Sequence, residues 1–194
     1  MLELAVLGLL VESPLHGYEI RKRLAVQLGH VRAVSYGSLY PALRRMSDTG
    51  WIREQQGDDV ASARAGRRGR VVYAITDRGE ERFAELLREA GPETWDDVRF
   101  GVRFAFFGRT DPAVRLRILE GRRARLEERR AAARESAARR RERLDRWSLE
   151  LQRHGLDAVD REVRWLTELI DTERAAASPD QTRHPAPGAG PDAR

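Results

Sequence analysis

The sequence predicts a mainly α-helical fold in two unequal parts. Three segments with helical spacing come first, followed by two short strands that flank a basic, glycine-rich loop. This order of elements is typical of a winged helix-turn-helix domain with a two-stranded wing. After Gly91 and Pro92 the composition changes, and long helix-forming stretches follow. We expect a winged helix-turn-helix domain in residues 1–90, a long-helix dimerisation domain in 91–177, and a disordered tail in 178–194, which is rich in Pro, Gly and Ala.

The first two helices are predicted from their apolar residues. Leu2 to Glu12 is apolar on nearly all sides, so we expect it to be buried in a core or at a subunit contact. Gly17 to Leu28 carries apolar residues at every fourth position, and Gly29 is expected to end it.

The third helix is predicted to run from Ser35, as N-cap, to about Thr49, with a bend or a late regular start at Pro41. One side is apolar. The other side carries hydroxyls and cations, namely Ser35, Ser38, Tyr40, Arg44 and Arg45. Such a helix suits the major groove of DNA, where hydroxyls donate to phosphates, or Ser38 to a base edge, and guanidinium groups reach phosphate or guanine. The alternative is an ordinary amphipathic helix with a solvated face.

Two strands, Trp51–Gln56 and Val71–Ile75, are predicted around a polar loop at Gly57–Arg70. The loop contains glycines and four arginines, namely Arg64, Arg67, Arg68 and Arg70. Glycine lets a ribbon tip approach a duplex closely, and arginine suits a narrow, electronegative minor groove. From His30 to Ile75 eight arginines stand against four acids, which favours an anionic partner. The alternative is a mobile basic loop with no specific role.

The second part is predicted to be built from long helices. After a fourth helix that opens with a capping box at Asp77 and Glu80, Asp111 and Pro112 form a strong helix start. Nothing breaks the helical pattern until His154 and Gly155, so one helix of about 65 Å is expected, with His154 as a cation at its C-terminus. A further helix is expected from Leu156 to Ala176.

Apolar residues in this region repeat every seven positions, as in Leu119, Leu126, Ala133 and Trp147. This heptad pattern predicts a coiled-coil dimer helix, although arginines interrupt it. Its many arginines also allow a second nucleic-acid-binding arm. Interspersed acids favour the dimer helix, because they can pair with arginines four residues away.

Aromatic residues form a group in the second part of the chain. The candidate lining of a pocket for a small aromatic or apolar effector is Trp95, Phe100, Phe104 and Trp147, together with Phe107 and Trp165. Aromatic residues at helical spacing also occur in ordinary packing, and the sequence leaves both interpretations open.

Composition argues against several other classes. The chain has no cysteine, which excludes disulfides and thiolate chemistry, and no apolar run long enough to cross a bilayer. Its four histidines are scattered, and we find no metal-binding spacing, nucleophile motif or phosphate-binding loop. We therefore expect a cytoplasmic protein without a metal or cofactor, and not an enzyme.

Four blocks of residues resemble the PadR family of bacterial transcriptional regulators. They are Leu4–Leu10, Leu15–Ile20, Gly37–Leu43 and Tyr73–Gly79, in the order of the family. The later part is similar to the long dimerisation region of the AphA-like branch. The resemblance implies a homodimer that binds a palindromic operator in double-stranded DNA, usually as a repressor and often released by a small ligand. By motif position it implies DNA contacts from Tyr18, Ser35, Ser38, Tyr40 and Arg44.

The sequence thus predicts a dimeric DNA-binding repressor. The alternative is a protein-interaction module assembled through the long C-terminal helices.

Overall fold

In the computed structural model, which describes residues 1–27, 36–56, 71–140 and 145–177, helices enclose a small antiparallel sheet and continue into a helical hairpin. The elements are α1 (Leu2–Glu12), β1 (Leu15–His16), α2 (Gly17–Gln27), α3 (Tyr36–Asp48), β2 (Ile52–Gln56), β3 (Val71–Ile75), α4 (Asp77–Arg88), α5 (Asp97–Phe104), α6 (Pro112–Arg140) and α7 (Arg146–Ala177). Short 3₁₀ turns at Pro92–Trp95 and Phe107–Arg109 flank α5.

The buried helix predicted at the N-terminus is confirmed. α1 spans Leu2–Glu12, and every residue from Leu4 to Leu10 is buried. The other N-terminal helices and the sheet pack around it. The same core also takes in Val102 and Phe106, which follow the expected domain boundary at residue 90. The core of the winged domain therefore includes residues from the segment that leaves it.

The sheet has three strands in the order β1-β3-β2, all antiparallel. The two predicted strands are confirmed, with Ile52 opposite Ile75 and Gln56 opposite Val71. The third strand, β1, was not predicted. Its two residues are too few for an alternating pattern, and its partner lies more than fifty positions along the chain.

The turn from α3 into β2 is fixed by Gly50 and Thr76. Gly50 has a φ of 73°, the left-handed conformation that commonly ends a helix. The Thr76 hydroxyl donates to the Gly50 carbonyl oxygen at 2.6 Å and accepts from the Gly79 N–H at 3.1 Å. The predicted capping box at Asp77 and Glu80 is therefore wrong in its details. Thr76 is the N-cap of α4, and it also ties that helix to the start of β2.

The prediction of one helix from Asp111 to His154 is wrong. Its start is confirmed, since the Asp111 carboxylate accepts from the Ala113 N–H at 2.8 Å. However, α6 is described as far as Arg140 and α7 begins at Arg146. The Asp145 carboxylate caps α7 by accepting from the N–H groups of residues 147 and 148 at 2.8 and 3.0 Å.

His154 and Gly155 lie inside α7 and do not end a helix. The predicted role of His154 as a cation at a helix C-terminus is therefore wrong. Glycine inside a helix costs about 1 kcal/mol relative to alanine, which is too little to stop a helix that packs along its length. Gly155 is therefore a weak signal for the end of a helix. The boundary between the two helices is marked instead by Asp145, which caps the start of α7.

α6 and α7 run antiparallel as a hairpin. Apolar residues of both helices form its core, together with Phe100: Val114, Ile118, Leu119, Leu126, Val163, Leu166 and Ile170. Ion pairs join the helices, including Arg115 to Glu173 at 2.8 Å and Arg130 to Asp160 at 3.1 Å. Two positions of the predicted heptad, Leu119 and Leu126, are buried within this cluster and not on a free dimer face.

None of the helices in the described part of the chain is both long enough and apolar enough to cross a membrane.

Candidate nucleic-acid interface

α3 separates buried from exposed side chains as predicted. Leu39, Ala42, Leu43 and Met46 are at most 1% exposed. This apolar face is held in the winged-domain core. The opposite face points to solvent and carries four of its polar side chains, namely Ser38, Tyr40, Arg44 and Arg45. An exposed face of hydroxyl and guanidinium donors on a firmly packed helix is the arrangement that reading a DNA groove requires.

A groove of about 520 Å³ lies between α3 and the sheet. Its lining consists of Tyr40, Pro41, Arg44, Arg45, Asp48, Glu54 and Tyr73. Three predicted DNA-contact residues, Tyr40, Arg44 and Arg45, are thus brought together on one surface. The groove combines two guanidinium groups with two carboxylates, so its charge is mixed along its length.

The beginning of α2 lies beneath this surface. A side chain at Gly17 would meet the Tyr40 ring at 3.3 Å and the Tyr73 ring at 3.5 Å. Glycine therefore lets α2, α3 and β3 come together at this point. The next residue, Tyr18, is 61% exposed, and the Arg21 guanidinium lies 5.1 Å from the centre of its ring. Tyr18 is thus exposed at the start of α2, next to the glycine that contacts Tyr40.

The Tyr73 hydroxyl belongs to the same groove. Burial raises the pKa of Tyr73 above its ordinary value, and the negative charge of Glu54 and the neighbouring Tyr40 raise it further. The hydroxyl is therefore neutral near pH 7 and can donate a hydrogen bond. Tyr73 and Glu54 face each other in the register of β3 and β2.

Five predicted contact residues lie outside the described residues. They are Ser35 at the start of the third helix and the wing arginines Arg64, Arg67, Arg68 and Arg70. Their DNA-binding roles stay predictions, as does that of Ser35 as an N-cap.

Four groove residues were not among the predicted contacts: Pro41, Asp48, Glu54 and Tyr73. Pro41 and Asp48 could have been found from the helical spacing, because they are neighbours of Arg44 and Arg45 on the exposed side of α3. Glu54 and Tyr73 lie on the predicted strands, but they reach the groove only because the sheet packs beside α3, which no local pattern in the sequence reveals.

The structure brings only part of the predicted effector set together. Phe104 lies 5.7 Å from Phe100, 5.0 Å from Phe107 and 5.2 Å from Trp165 between ring centres. Trp95 packs over Gly121 of α6 and against the hydrophobic cluster that contains Phe100. Trp147 stands at the start of α7 and is 75% exposed.

The described residues hold no group of three or more His, Asp or Glu side chains that could hold a metal ion.

Comparison with known proteins links this domain to transcription. The sequence model of the transcriptional regulator PadR-like family matches residues 6–85. The chain is 27% identical over 99 residues to the negative transcriptional regulator PadR of Bacillus subtilis, a match that covers 50% of this chain and 52% of that protein. The chain thus spans about half the length of this curated relative.

The solved structures that the comparison found are more distant in sequence. Bacillus subtilis PadR in complex with operator DNA is 20% identical, with a TM-score of 0.41 over 89% of this chain and 97% of that one. The Vibrio cholerae virulence activator AphA is 18% identical, with a TM-score of 0.38 over 91% of this chain and 99% of that one.

Proposed function

We propose that the protein is a DNA-binding transcriptional repressor of the transcriptional regulator PadR-like family, whose sequence model matches residues 6–85 of this chain. It binds an inverted-repeat operator as a homodimer. The relative from Bacillus subtilis is named as a negative transcriptional regulator, which supports repression over activation.

The observation that carries this proposal is the exposed face of α3. The apolar side chains of α3 are each at most 1% exposed, so the helix is held rigidly. Tyr40, Arg44 and Arg45 project from the other side. A recognition helix needs both properties, because base contacts are useful only when the helix cannot rotate away from them. Each well-formed base contact would contribute about 1–3 kcal/mol of selectivity.

Phosphate contacts would supply much of the affinity. Tyr18 and Arg44 are both exposed, and the wing arginines are expected to add contacts along the duplex. Because each neutralised phosphate releases counterions, binding should weaken steeply as salt is added.

A stripe on α7 supports the homodimer. Trp147, Leu151, Ala158 and Trp165 follow one another at intervals of four, seven and seven residues and are all exposed, which places them on one side of the helix (the α7 stripe). Trp147 is 75% and Leu151 73% exposed. The opposite side of α7 is already occupied by α6. A second copy of the stripe would bury these side chains in a coiled-coil contact.

The aromatic cluster of Phe100, Phe104, Phe107 and Trp165 supports the proposed response to a small ligand. Phe104 is 37% exposed and is not part of the α7 stripe, so this part of the cluster is accessible to an aromatic or apolar molecule. A ligand that binds one dimer geometry better than another would change the distance between recognition helices and release the operator. Quenching of tryptophan fluorescence by small phenolic compounds would test this contact.

The direct test of the proposed function is binding to an inverted repeat upstream of the gene. We expect binding at least about a thousandfold tighter than to a scrambled duplex of the same length. The apparent affinity should fall steeply between low and moderate salt. Equal affinity for the scrambled duplex at moderate salt would contradict a sequence-specific regulator.

The α7 stripe also favours the alternative function, in which the long helices bind a different protein. Arg67→Ala with Arg68→Ala separates the two functions. Loss of DNA retention with an intact dimer supports the repressor. Unchanged retention of DNA supports the interaction module.

A further inference from the structure

Residues 92–110 form a connector between the winged domain and the α6–α7 hairpin. Phe106 attaches it to the winged domain. A Cβ atom on Gly8 of α1 would come within 2.2 Å of the Phe106 ring, so the ring occupies the space that the missing side chain leaves. The ring also packs edge-on against Phe83 of α4, with 5.9 Å between centres.

Arg103 makes a second attachment on the same side. Its side chain is 8% exposed, and the guanidinium donates to the Leu86 carbonyl oxygen at 2.8 Å and to the Glu89 carboxylate at 2.7 Å. Leu86 lies in the last turn of α4, and its carbonyl oxygen accepts both from Arg103 and from the Glu89 N–H, the latter at 3.3 Å. The connector thus completes the C-terminal end of α4.

The other end of the connector is attached to the hairpin in the same way. A Cβ atom on Gly121 of α6 would come within 2.1 Å of the Trp95 indole. Arg122, whose side chain is 5% exposed, donates to the Trp95 carbonyl oxygen at 2.8 Å and also pairs with Asp97 and Glu162. The two attachments are therefore alike. In each, an aromatic ring packs over a glycine and a buried arginine donates to a carbonyl oxygen.

Further hydrogen bonds fix the end of the connector. Arg115 of α6 donates to the carbonyl oxygens of Phe107 and Thr110, both at 3.0 Å, and pairs with Glu173 of α7. The connector is therefore packed and hydrogen-bonded to both parts and is not a flexible linker. Closely packed contacts of this kind resist small continuous movements.

We propose that the connector is a rigid strut that fixes the orientation of each recognition helix relative to the α6–α7 hairpin. This orientation sets the half-site spacing that a dimer accepts. This inference rests on the proposed function. One base pair of extra spacing moves a half-site by about 3.4 Å along the duplex and rotates it by about 35°. A dimer with rigid struts cannot follow such a change, whereas loosely attached domains can.

The experiment compares Gly121→Ala with Gly155→Ala. Both substitutions place alanine in a helix, but only the first forces a neighbour, Trp95, to move. No atom lies within 4 Å of the new side chain at Gly155. Binding is measured on a set of duplexes in which the distance between half-sites changes by up to about two base pairs in either direction, and on a single half-site.

For the wild type and Gly155→Ala we expect a sharp optimum, with binding about tenfold weaker two base pairs away. For Gly121→Ala we expect a shifted optimum or less than about a threefold dependence on spacing. Affinity for the single half-site should stay the same in all three, because α3 is unchanged.

A second pair of variants covers the winged-domain side. Phe106→Ala removes a buried ring from the connector, and Leu24→Ala removes a buried side chain of α2 that does not belong to the connector. Both should lower stability, but only Phe106→Ala should flatten the spacing profile.

Three outcomes would overturn the inference. The first is an unchanged, sharp profile in both Gly121→Ala and Phe106→Ala. The second is an equally flat spacing profile in the controls Gly155→Ala and Leu24→Ala, because the effect would then come from general destabilisation. The third is a wild type that binds every spacing equally well, because the connector would then not set the spacing, although a single half-site could still be recognised. A wild type that binds no inverted repeat at all would instead contradict the proposed function itself.

Discussion

The winged domain and the α6–α7 hairpin place their side chains in opposite ways. The winged domain buries apolar side chains and turns arginines and hydroxyls outward on α3. The hairpin holds arginine–carboxylate pairs between its elements, with Arg122 only 5% exposed, and leaves Trp147 and Leu151 more than 70% exposed. The first region has a completed core and a polar surface for a charged partner. The second has an uncovered apolar side.

This difference is the basis for proposing that the hairpin, and not the winged domain, binds a second chain. Large apolar side chains that stand exposed in a row on one helix face are unusual in a monomer and mark a contact surface. The exposed polar face of α3 needs no such cover. Under the proposed function, the contrast between the two regions separates the reading of DNA by α3 from the pairing of two protomers through the α7 stripe.

The largest expected effect follows from removing that stripe. Trp147→Gln with Leu151→Gln should weaken the dimer by about 4 kcal/mol, roughly a thousandfold, because both copies lose two buried apolar side chains. Sedimentation equilibrium measures this change. Arg164→Gln with Glu168→Gln has the same spacing on another side of α7 and should leave the dimer intact. A dimer of unchanged strength in the stripe variant would show that another surface joins the protomers.

The next effect concerns recognition. Arg44→Ala with Arg45→Ala should weaken operator binding by about 3 kcal/mol, because two guanidinium donors are lost from the exposed face of α3. Arg88→Ala with Arg153→Ala removes the same charge elsewhere and should matter far less. Fluorescence anisotropy with labelled operator gives both values. If the two double variants lose the same affinity, α3 contributes only general charge.

A smaller effect is expected from the buried arginine of the hairpin. Arg122→Ala should lower the free energy of unfolding by about 2–3 kcal/mol, since Glu162 loses its partner and Phe100 loses the cation over its ring. The loss stays below that of a fully buried pair because Asp97 and Glu162 keep contact with water. Urea unfolding measures it.

Arg139→Ala is the control for that prediction, because its pair with Glu135 is exposed on both sides. It should cost no more than about 0.5 kcal/mol. A similar loss in the two variants would mean that burial of Arg122 adds nothing to the hairpin.

The smallest effect tests whether α7 is continuous. Gly155→Ala should stabilise the protein by about 0.5–1 kcal/mol, because alanine is the better helix former and nothing lies within 4 Å of its side chain. Thermal unfolding would show a slightly higher midpoint. Destabilisation would instead indicate that the helix ends at His154 and Gly155, as the sequence alone suggested.

The sequence predicted the winged domain well because its signals are local. The burial of Leu2–Glu12, which is apolar on nearly all sides, and the two-sided pattern of α3 each follow from spacing within a few turns. The strand β1 could not be found in this way, since its partner β3 is far away in the sequence. The groove residues Glu54 and Tyr73 were missed because they depend on how the sheet packs beside α3.

The second part was predicted less accurately because its signals conflict. Nothing in residues 111–154 forbids a single helix, and Gly155 appeared to be the only stop. The Asp145 cap shows where α7 starts. Heptad spacing also could not distinguish two kinds of apolar position. Leu119 and Leu126 face α7 of the same chain, whereas Leu151 faces solvent. Pairing within one chain and pairing between chains use the same pattern.

The most direct test measures the affinity of the full chain for an inverted repeat and for one of its halves, with and without Trp147→Gln and Leu151→Gln. We expect the wild type to prefer the complete repeat by about a hundredfold or more, and the variant to bind both duplexes with similar, weak affinity. A variant that kept the full preference for the repeat would contradict pairing of the DNA-reading domains through the α7 stripe.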